Sequence, residues 1–196
     1  MGKPVTFEQS GKRCIGGLSV LAAYAGAVAL IALLHTTGRA AWVKDLSPGS
    51  MLLSSGLILA NAAAWLAHWS LQSHQLAMEH GMIPKYASHW STWGWFVPVA
   101  NFVLPFTILK QRFAAYRLRA NKPILWLQAL WLGTALLWGW IALQLVPGTF
   151  DRWGALATAA TALGVWRLRG LVVGLHRVQR DTVAKLAAEG DSARQL

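Results

Sequence analysis

Four long apolar runs divide this sequence, and short polar or charged stretches separate them. They cover residues 15–34, 51–71, 124–145 and 153–175. A helix of about 20 apolar residues is long enough to cross the hydrocarbon core of a bilayer. The pattern therefore predicts an all-α integral membrane protein with four transmembrane helices. A fifth apolar run, residues 93–109, is shorter than the others.

The fifth run contains the stretch GWFVPVANFVLPF, which has two prolines and an amide inside an apolar segment. On a continuous helix, Gly94, Pro98, Asn101 and Pro105 would fall within a sector of about 60°. Each proline lacks an N–H, so the carbonyls of Gly94 and Asn101 lose their helical donors, and bare carbonyls in lipid are costly. We therefore expect this stripe to face the helix bundle, with Asn101 hydrogen-bonded inside the protein.

An apolar run with two prolines and an amide, such as residues 93–109, is typical of a Pro-broken re-entrant or interfacial helix. An ordinary kinked span, giving five transmembrane helices, is the alternative. If the segment does not cross, 13 Lys and Arg lie on the side of the N-terminus, the middle section and the C-terminal tail, against 3 on the other side. If it crosses, the better orientation gives 11 against 5. Because cytoplasmic loops carry the excess of Lys and Arg, four spans and a cytoplasmic C-terminus are favoured.

The composition supports a membrane protein and limits the number of domains. The chain is 55% hydrophobic and 13% charged, whereas about a quarter of a soluble domain is charged. The net charge of +11 is explained by basic residues that flank the apolar runs, so no nucleic-acid partner is predicted. We expect one helical membrane domain over residues 1–180 and a cytoplasmic tail over 181–196.

The central stretch HWSTWGWFVPVANFVLPFTILKQ, with AWLAHW before it and GLHRVQ near the end, resembles the bacterial membrane family DUF4328, a domain of unknown function. Two positions depart from the family pattern: Leu104 stands where the family often has Arg, and Ser88-His89 where it often has Ser-Pro. The resemblance implies a four- or five-helix protein of the bacterial cytoplasmic membrane and implies no activity. The residues that fit the family core are Trp90 or Trp93, Gly94, Trp95, Pro98, Asn101 and Pro105.

Residues suited to catalysis or to metal binding are poorly arranged. None of the seven acidic residues lies within an apolar run, so the chain has no intramembrane carboxylate. The histidines lack the three- or four-residue spacing of helical metal ligands, and Cys14 is the single cysteine. We therefore predict no metal, no cofactor and no enzymatic activity. His68 and His176 are the one pair whose positions suit a haem.

The basic residues near the membrane are the sharper candidates for a site. The connector 110–122 carries five positive charges and no acid, so we expect it to contact lipid phosphates on the cytoplasmic surface. Arg167 and Arg169 lie inside the last apolar run and, being two apart, project to different faces. The predicted lipid- or partner-binding residues are Arg112, Arg117, Arg119, Arg167 and Arg169.

These observations favour a non-enzymatic accessory protein that binds other membrane proteins and anionic lipids. The alternative is a small transporter or channel, because discontinuous helices often line substrate sites. A third hypothesis is a haem- or quinone-linked redox subunit.

Overall fold

The structure is a computed structural model, and it describes residues 6–38, 48–79, 86–97, 100–116, 121–144 and 150–193. Within these ranges every regular element is helical, which confirms the all-α prediction. The α-helices are α1 (Phe7–Thr36), α2 (Pro48–Glu79), α3 (Ser88–Trp93), α4 (Leu104–Ala115), α5 (Asn121–Gln144) and α6 (Phe150–Ala193), with a 3-10 turn at Ala100–Phe102.

Local sequence explains several helix ends. The Thr6 hydroxyl caps α1 by accepting from the Gln9 backbone N–H at 3.3 Å. After the end of α1, Gly38 adopts φ +73°, a conformation that glycine reaches without strain. Pro105 and Pro123 lie in the first turns of α4 and α5, where a missing N–H costs no hydrogen bond.

The four long helices alternate in direction around a shared core. Residues near the start of α1 meet the C-terminal half of α6, and the end of α2 meets that same half. We call this end of the bundle the polar end. It also receives the start of α5, which runs antiparallel to α6. The pairs that fix these directions are Phe7 with His176, Ser19 with Arg169, Ser73 with Gln179, and Leu130 with Gly164.

One continuous cluster of buried apolar side chains joins α1, α2, α4, α5 and α6. Its largest fully buried members are Trp69 and Phe106. Small residues bring the helices close, as at Gly17, where an added Cβ would lie 2.8 Å from Nε1 of Trp65. A bulkier residue at position 17 would therefore have to displace the Trp65 side chain from its packing against α1.

Two helical segments are long and apolar enough to cross a membrane, by length and composition. They are Phe7–Thr36, with a mean hydropathy of 2.2, and Trp153–Lys185, with a mean hydropathy of 1.3. α6 continues without interruption past position 180 to Ala193, so the domain boundary expected at 180/181 falls inside a helix.

Candidate functional site: a helical hairpin, a polar layer and a basic groove

The helices α3 and α4 are the two arms of an antiparallel hairpin. Near its tip, an added Cβ at Gly94 would lie 3.4 Å from Cβ of Leu104. The rings of Trp95 and Phe106 follow, with centroids 6.5 Å apart. At its open end, Arg112 Nη2 donates to Ser91 Oγ at 3.1 Å. The chain therefore runs inward along residues 88–97 and returns along 100–115. We call this unit the α3–α4 hairpin.

The hairpin reaches deep into the bundle. Its open end lies at the C-terminal part of α2, where Ser91 Oγ is 3.3 Å from His74 Nδ1. Near its tip, Phe102 shares a cavity wall with Leu59 and Ala63. The step from position 74 back to positions 63 and 59 corresponds to about 16–22 Å along a helix. The described residues next to the tip therefore lie far from the polar end, while both arms open toward it; among them, Phe96, Val97 and Val103 are exposed.

The hairpin corrects the prediction of a single stripe of four residues. Because the segment is two helices and a turn, its residues do not share one helical face. Gly94 and Pro105 instead meet across the two arms, and both are buried. Pro98 lies outside the described residues. The Asn101 Oδ1 atom is buried without a hydrogen-bond partner among the described atoms, and the hydrogen bond expected from the Asn101 amide stays a prediction.

A neighbouring carbonyl at the tip is covered by another helix. Gln128 of α5 donates from Nε2 to the Phe102 carbonyl oxygen at 2.8 Å. This bond fixes the tip against α5. The packing of the Phe106 ring against Trp131, with centroids 6.4 Å apart, supports the same contact.

A cavity of about 290 Å³ lies behind the hairpin tip. Its lining is mainly apolar, with two threonines and the Asn101 side chain as the polar groups. Thr161 is already engaged, since its Oγ1 accepts from Trp138 Nε1 at 3.3 Å and donates to the Ala157 carbonyl. The cavity therefore suits a small, weakly polar molecule.

The open end of the hairpin closes over a group of polar side chains, buried except for the half-buried Tyr116, that we call the polar layer. Besides the contacts of Ser91, Gln179 Nε2 donates to Ser73 Oγ at 2.7 Å. Helices α2, α3, α4 and α6 therefore meet through polar contacts. The polar layer consists of Ser73, His74, Ser91, Arg112, Tyr116 and Gln179.

The hydrogen bonds of Ser91 favour one tautomer of His74. Ser91 Oγ accepts from Arg112, so its hydroxyl proton is free to donate to His74 Nδ1. The proton of the neutral His74 ring then resides on Nε2. Burial, and next the charge of Arg112, lowers the pKa of His74, which favours this neutral form.

Arg112 is buried, with 7% of its surface exposed, which corrects the expectation that it lies on the surface and contacts lipid. Burial lowers the pKa of Arg112 to about 10, so the guanidinium still carries its charge at neutral pH. Burial also raises the pKa of Tyr116, so its phenol is neutral there. Arg117 and Arg119 lie outside the described residues.

Arg167 and Arg169 have different surroundings, as their spacing predicts. Arg169 is half-buried, and its Nε donates to Ser19 Oγ at 2.6 Å. Its Cζ also lies 5.1 Å from the ring centroid of Trp166, within the range of a cation–π contact. Arg169 therefore has partners inside the protein, whereas Arg167 is exposed.

Arg167 lines a groove of about 750 Å³ between α5 and α6, which we call the α5–α6 groove. Lys122 lines its end near the start of α5, and no acidic residue lines it. The indoles of Trp126 and Trp166 flank it and are 77% and 56% exposed. Its other lining residues are Pro123, Leu127, Leu130, Leu163, Gly170 and Leu171.

The sequence interpretation missed the polar layer, although a signal was present. On α2, Ser70 and Ser73 continue the spacing of the buried Leu66, so polar residues occupy core positions. On α4, Arg112 continues the spacing of the buried Leu109 in the same way. A charged residue in a helical core register indicates burial even when it stands in a basic run.

The histidine pair considered for haem is not arranged around a common site. His176 is buried against the ring of Phe7, whereas His68 is exposed. Among the described residues, no group of three or more His, Cys, Asp or Glu side chains is placed to hold a metal ion.

Comparisons with family models, with curated proteins and with solved structures find no match to this chain. The DUF4328 resemblance therefore stays a prediction.

Proposed function

We propose that this chain is a non-enzymatic protein of the bacterial cytoplasmic membrane that binds anionic lipid and other membrane proteins. The α5–α6 groove is the observation that carries the proposal. Four helices span the bilayer, the α3–α4 hairpin re-enters from the cytoplasmic side, and the C-terminus is cytoplasmic.

The direction of the hairpin arms supports this orientation. Both arms open at the polar end, because Ser91 and Arg112 meet there. The start of α1 and the C-terminal half of α6 lie at the same end. The sequence count agrees with this orientation, because a segment 93–109 that does not cross would leave 13 Lys and Arg on one side of the membrane and 3 on the other, as the positive-inside rule favours.

The α5–α6 groove has the chemistry of an anionic phospholipid site. Its basic half contains Lys122 and Arg167, and the half around Leu130 and Leu163 is apolar. A lipid phosphate at the basic half would place acyl carbons along the apolar half. Basic sites between membrane helices on the cytoplasmic side are suited to such head groups, and each cation contributes about 1 kcal/mol. Exposed indoles beside the groove suit the boundary between water and lipid.

Thermal unfolding in mixed micelles tests the lipid site. Phosphatidylglycerol should raise the Tm of the wild-type chain with saturation, and phosphatidylcholine should not. The double variant Lys122→Gln/Arg167→Gln should lose most of this response, because both cations of the groove are gone. The matched control is Arg177→Gln/Lys185→Gln, which removes two exposed charges of α6 outside the groove and should keep the response.

Two results would contradict the lipid site. One is an equal response to both lipids, which would indicate a general detergent effect. The other is an equal loss in the groove variant and in the control, which would indicate a response to net charge.

The association with other membrane proteins rests on apolar side chains that the bundle leaves uncovered. On α1, Val20 is 69% exposed and Leu33 is 56% exposed. Purification in a mild detergent tests this part. A stoichiometric membrane protein should copurify, and a lone monomer would count against it.

The cavity behind the hairpin favours a second candidate, a small transporter or channel. A discontinuous segment that ends at Asn101 and Phe102 lines this cavity with α5 and α6, as broken helices do in transporters. Enlarging Gly164 to leucine would fill the cavity. If the chain conducts or transports a solute in liposomes and Gly164→Leu abolishes the flux, this candidate replaces the first.

A further inference from the structure

The buried charge of Arg112 has no counter-charge among the described residues. The two ion pairs within the described part of the chain are Lys12 with Glu8 and Arg180 with Asp181, and neither involves Arg112. A buried charge without a partner is strongly disfavoured. The low exposure of the side chain limits the help that bulk water gives.

The hydrogen bonds of Arg112 leave a free donor. Nη2 is engaged with Ser91, whereas Nη1 is buried and has no hydrogen-bond partner in the described part of the chain. Unpaired buried donors in native proteins are few, and a bound water or ion often accounts for them. A free, charged donor is best satisfied by an acceptor that also carries negative charge.

The surrounding groups fix the sign and the size of the charge to be balanced. Burial and the Arg112 charge favour neutral His74, and burial favours neutral Tyr116. Ser73, Ser91 and Gln179 carry no charge. The polar layer therefore has one net positive charge, which a single monoanion balances.

We propose that the polar layer binds a small inorganic monoanion, with chloride as the simplest example, at the free Nη1 of Arg112. The anion is small because the guanidinium lies within a closed junction of α2, α3, α4 and α6. Its binding joins the open end of the α3–α4 hairpin to α2 and α6. This site is distinct from the α5–α6 groove, which takes a lipid head group through other cations.

Thermal unfolding at constant ionic strength tests the proposal, in detergent that contains only zwitterionic lipid. Replacing gluconate with chloride should raise the Tm of the wild-type chain with saturation. In Arg112→Met, which keeps an unbranched apolar stem and removes the guanidinium and its charge, the Tm should be the same in both salts. Arg177→Met, the same substitution at an exposed arginine outside the α5–α6 groove, should keep the wild-type response.

A purely structural role for Arg112 gives a different pattern. If the role is purely structural, Arg112→Met lowers the Tm by the same amount in chloride and in gluconate. The wild-type Tm is then the same in the two salts. An anion-independent wild-type Tm overturns the proposal whether or not the variant folds. If phosphatidylglycerol added in gluconate raises the Tm through Arg112 and chloride does not, the ligand is a lipid phosphate and the proposal is also overturned.

Discussion

At the scale of the residue, the hydroxyl of Ser91 connects two basic side chains with opposite requirements. It accepts from the charged Arg112 and can donate only to a neutral His74 at Nδ1. Protonation of His74 would turn Nδ1 into a donor, so Ser91 would have to redirect its own proton. A second positive charge would then lie close to Arg112. Burial, the charge of Arg112 and the hydrogen bonds of Ser91 therefore favour a neutral His74.

The preference of the fold for a neutral His74 predicts a loss of stability in acid. The pKa of His74 is lowered in the folded state from its ordinary value of 6.5, by burial and by Arg112, so below that value the unfolded chain takes the proton first. The stabilisation is complete above about pH 6.5 and is lost as the pH falls through the lowered value. Between pH 8 and 5, the Tm should fall less in His74→Gln than in the wild-type chain.

The matched control is His68→Gln, which changes an exposed histidine on the same helix. It should keep the wild-type dependence on pH. If His74→Gln and the wild-type chain lose the same Tm between pH 8 and 5, another group is responsible and His74 is not held neutral by the fold.

At the scale of the element, the α3–α4 hairpin depends on contacts that cover its interrupted backbone. The segment is divided into α3 and α4 with a 3-10 turn between them, and the lack of an N–H on Pro105 to offer the Asn101 carbonyl favours this break. Pro105 instead begins α4, and the turn before it is held by the bond from Gln128 to the Phe102 carbonyl. The contact with α5 therefore stabilises the hairpin next to its tip.

Removing that bond should loosen the hairpin tip. Gln128→Leu keeps the side-chain size but leaves the Phe102 carbonyl without a donor, at a cost of about 1–3 kcal/mol for an unpaired buried group. The Tm should drop accordingly. Gln75→Leu, at an exposed amide of α2, should change it little. Equal Tm values for the two variants would show that the bond does not hold the tip.

The elements differ in how far the sequence predicts them. Long apolar runs locate α1, α2, α5 and α6, because a helical run of that length has few alternative structures. The two prolines within residues 93–109 indicate a break in the helix. The sequence alone does not show which residues before the break pack against which residues after it. Helical periodicity assigned Gly94 and Pro105 to one face, whereas they meet across the hairpin.

The polar layer was harder to predict, for a reason of the same kind. Arg112 lies in a basic connector, and such connectors usually lie on the surface. Its burial depends on Ser91, which is 21 residues earlier in the chain, and on His74 of α2. Contacts between residues so far apart in the chain are set by the tertiary fold. A single sequence does not show which of these residues come together.

At the scale of the whole molecule, several helix ends and several basic residues lie together at the polar end of the bundle. In the described part of the chain, the start of α1, the open end of the hairpin and the C-terminal half of α6 gather there, with basic residues such as Lys12, Arg112 and Arg177. The proposed four crossings would leave the start of α1 and the end of α6 on the same side of the membrane. A five-span protein would place its two termini on opposite sides, with the charge divided 11 to 5.

Labelling with a membrane-impermeant maleimide tests this orientation. In a Cys14→Ala background, single cysteines at Ser88, Ala115 and Lys185 should all react from the cytoplasmic side, because the two hairpin ends and the C-terminal part of α6 lie at the polar end. A cysteine at Thr37, beyond the other end of α1, should react only from the opposite side. Reaction of positions 88 and 115 from opposite sides would mean that the segment crosses the bilayer, and the five-helix alternative would then replace the re-entrant hairpin.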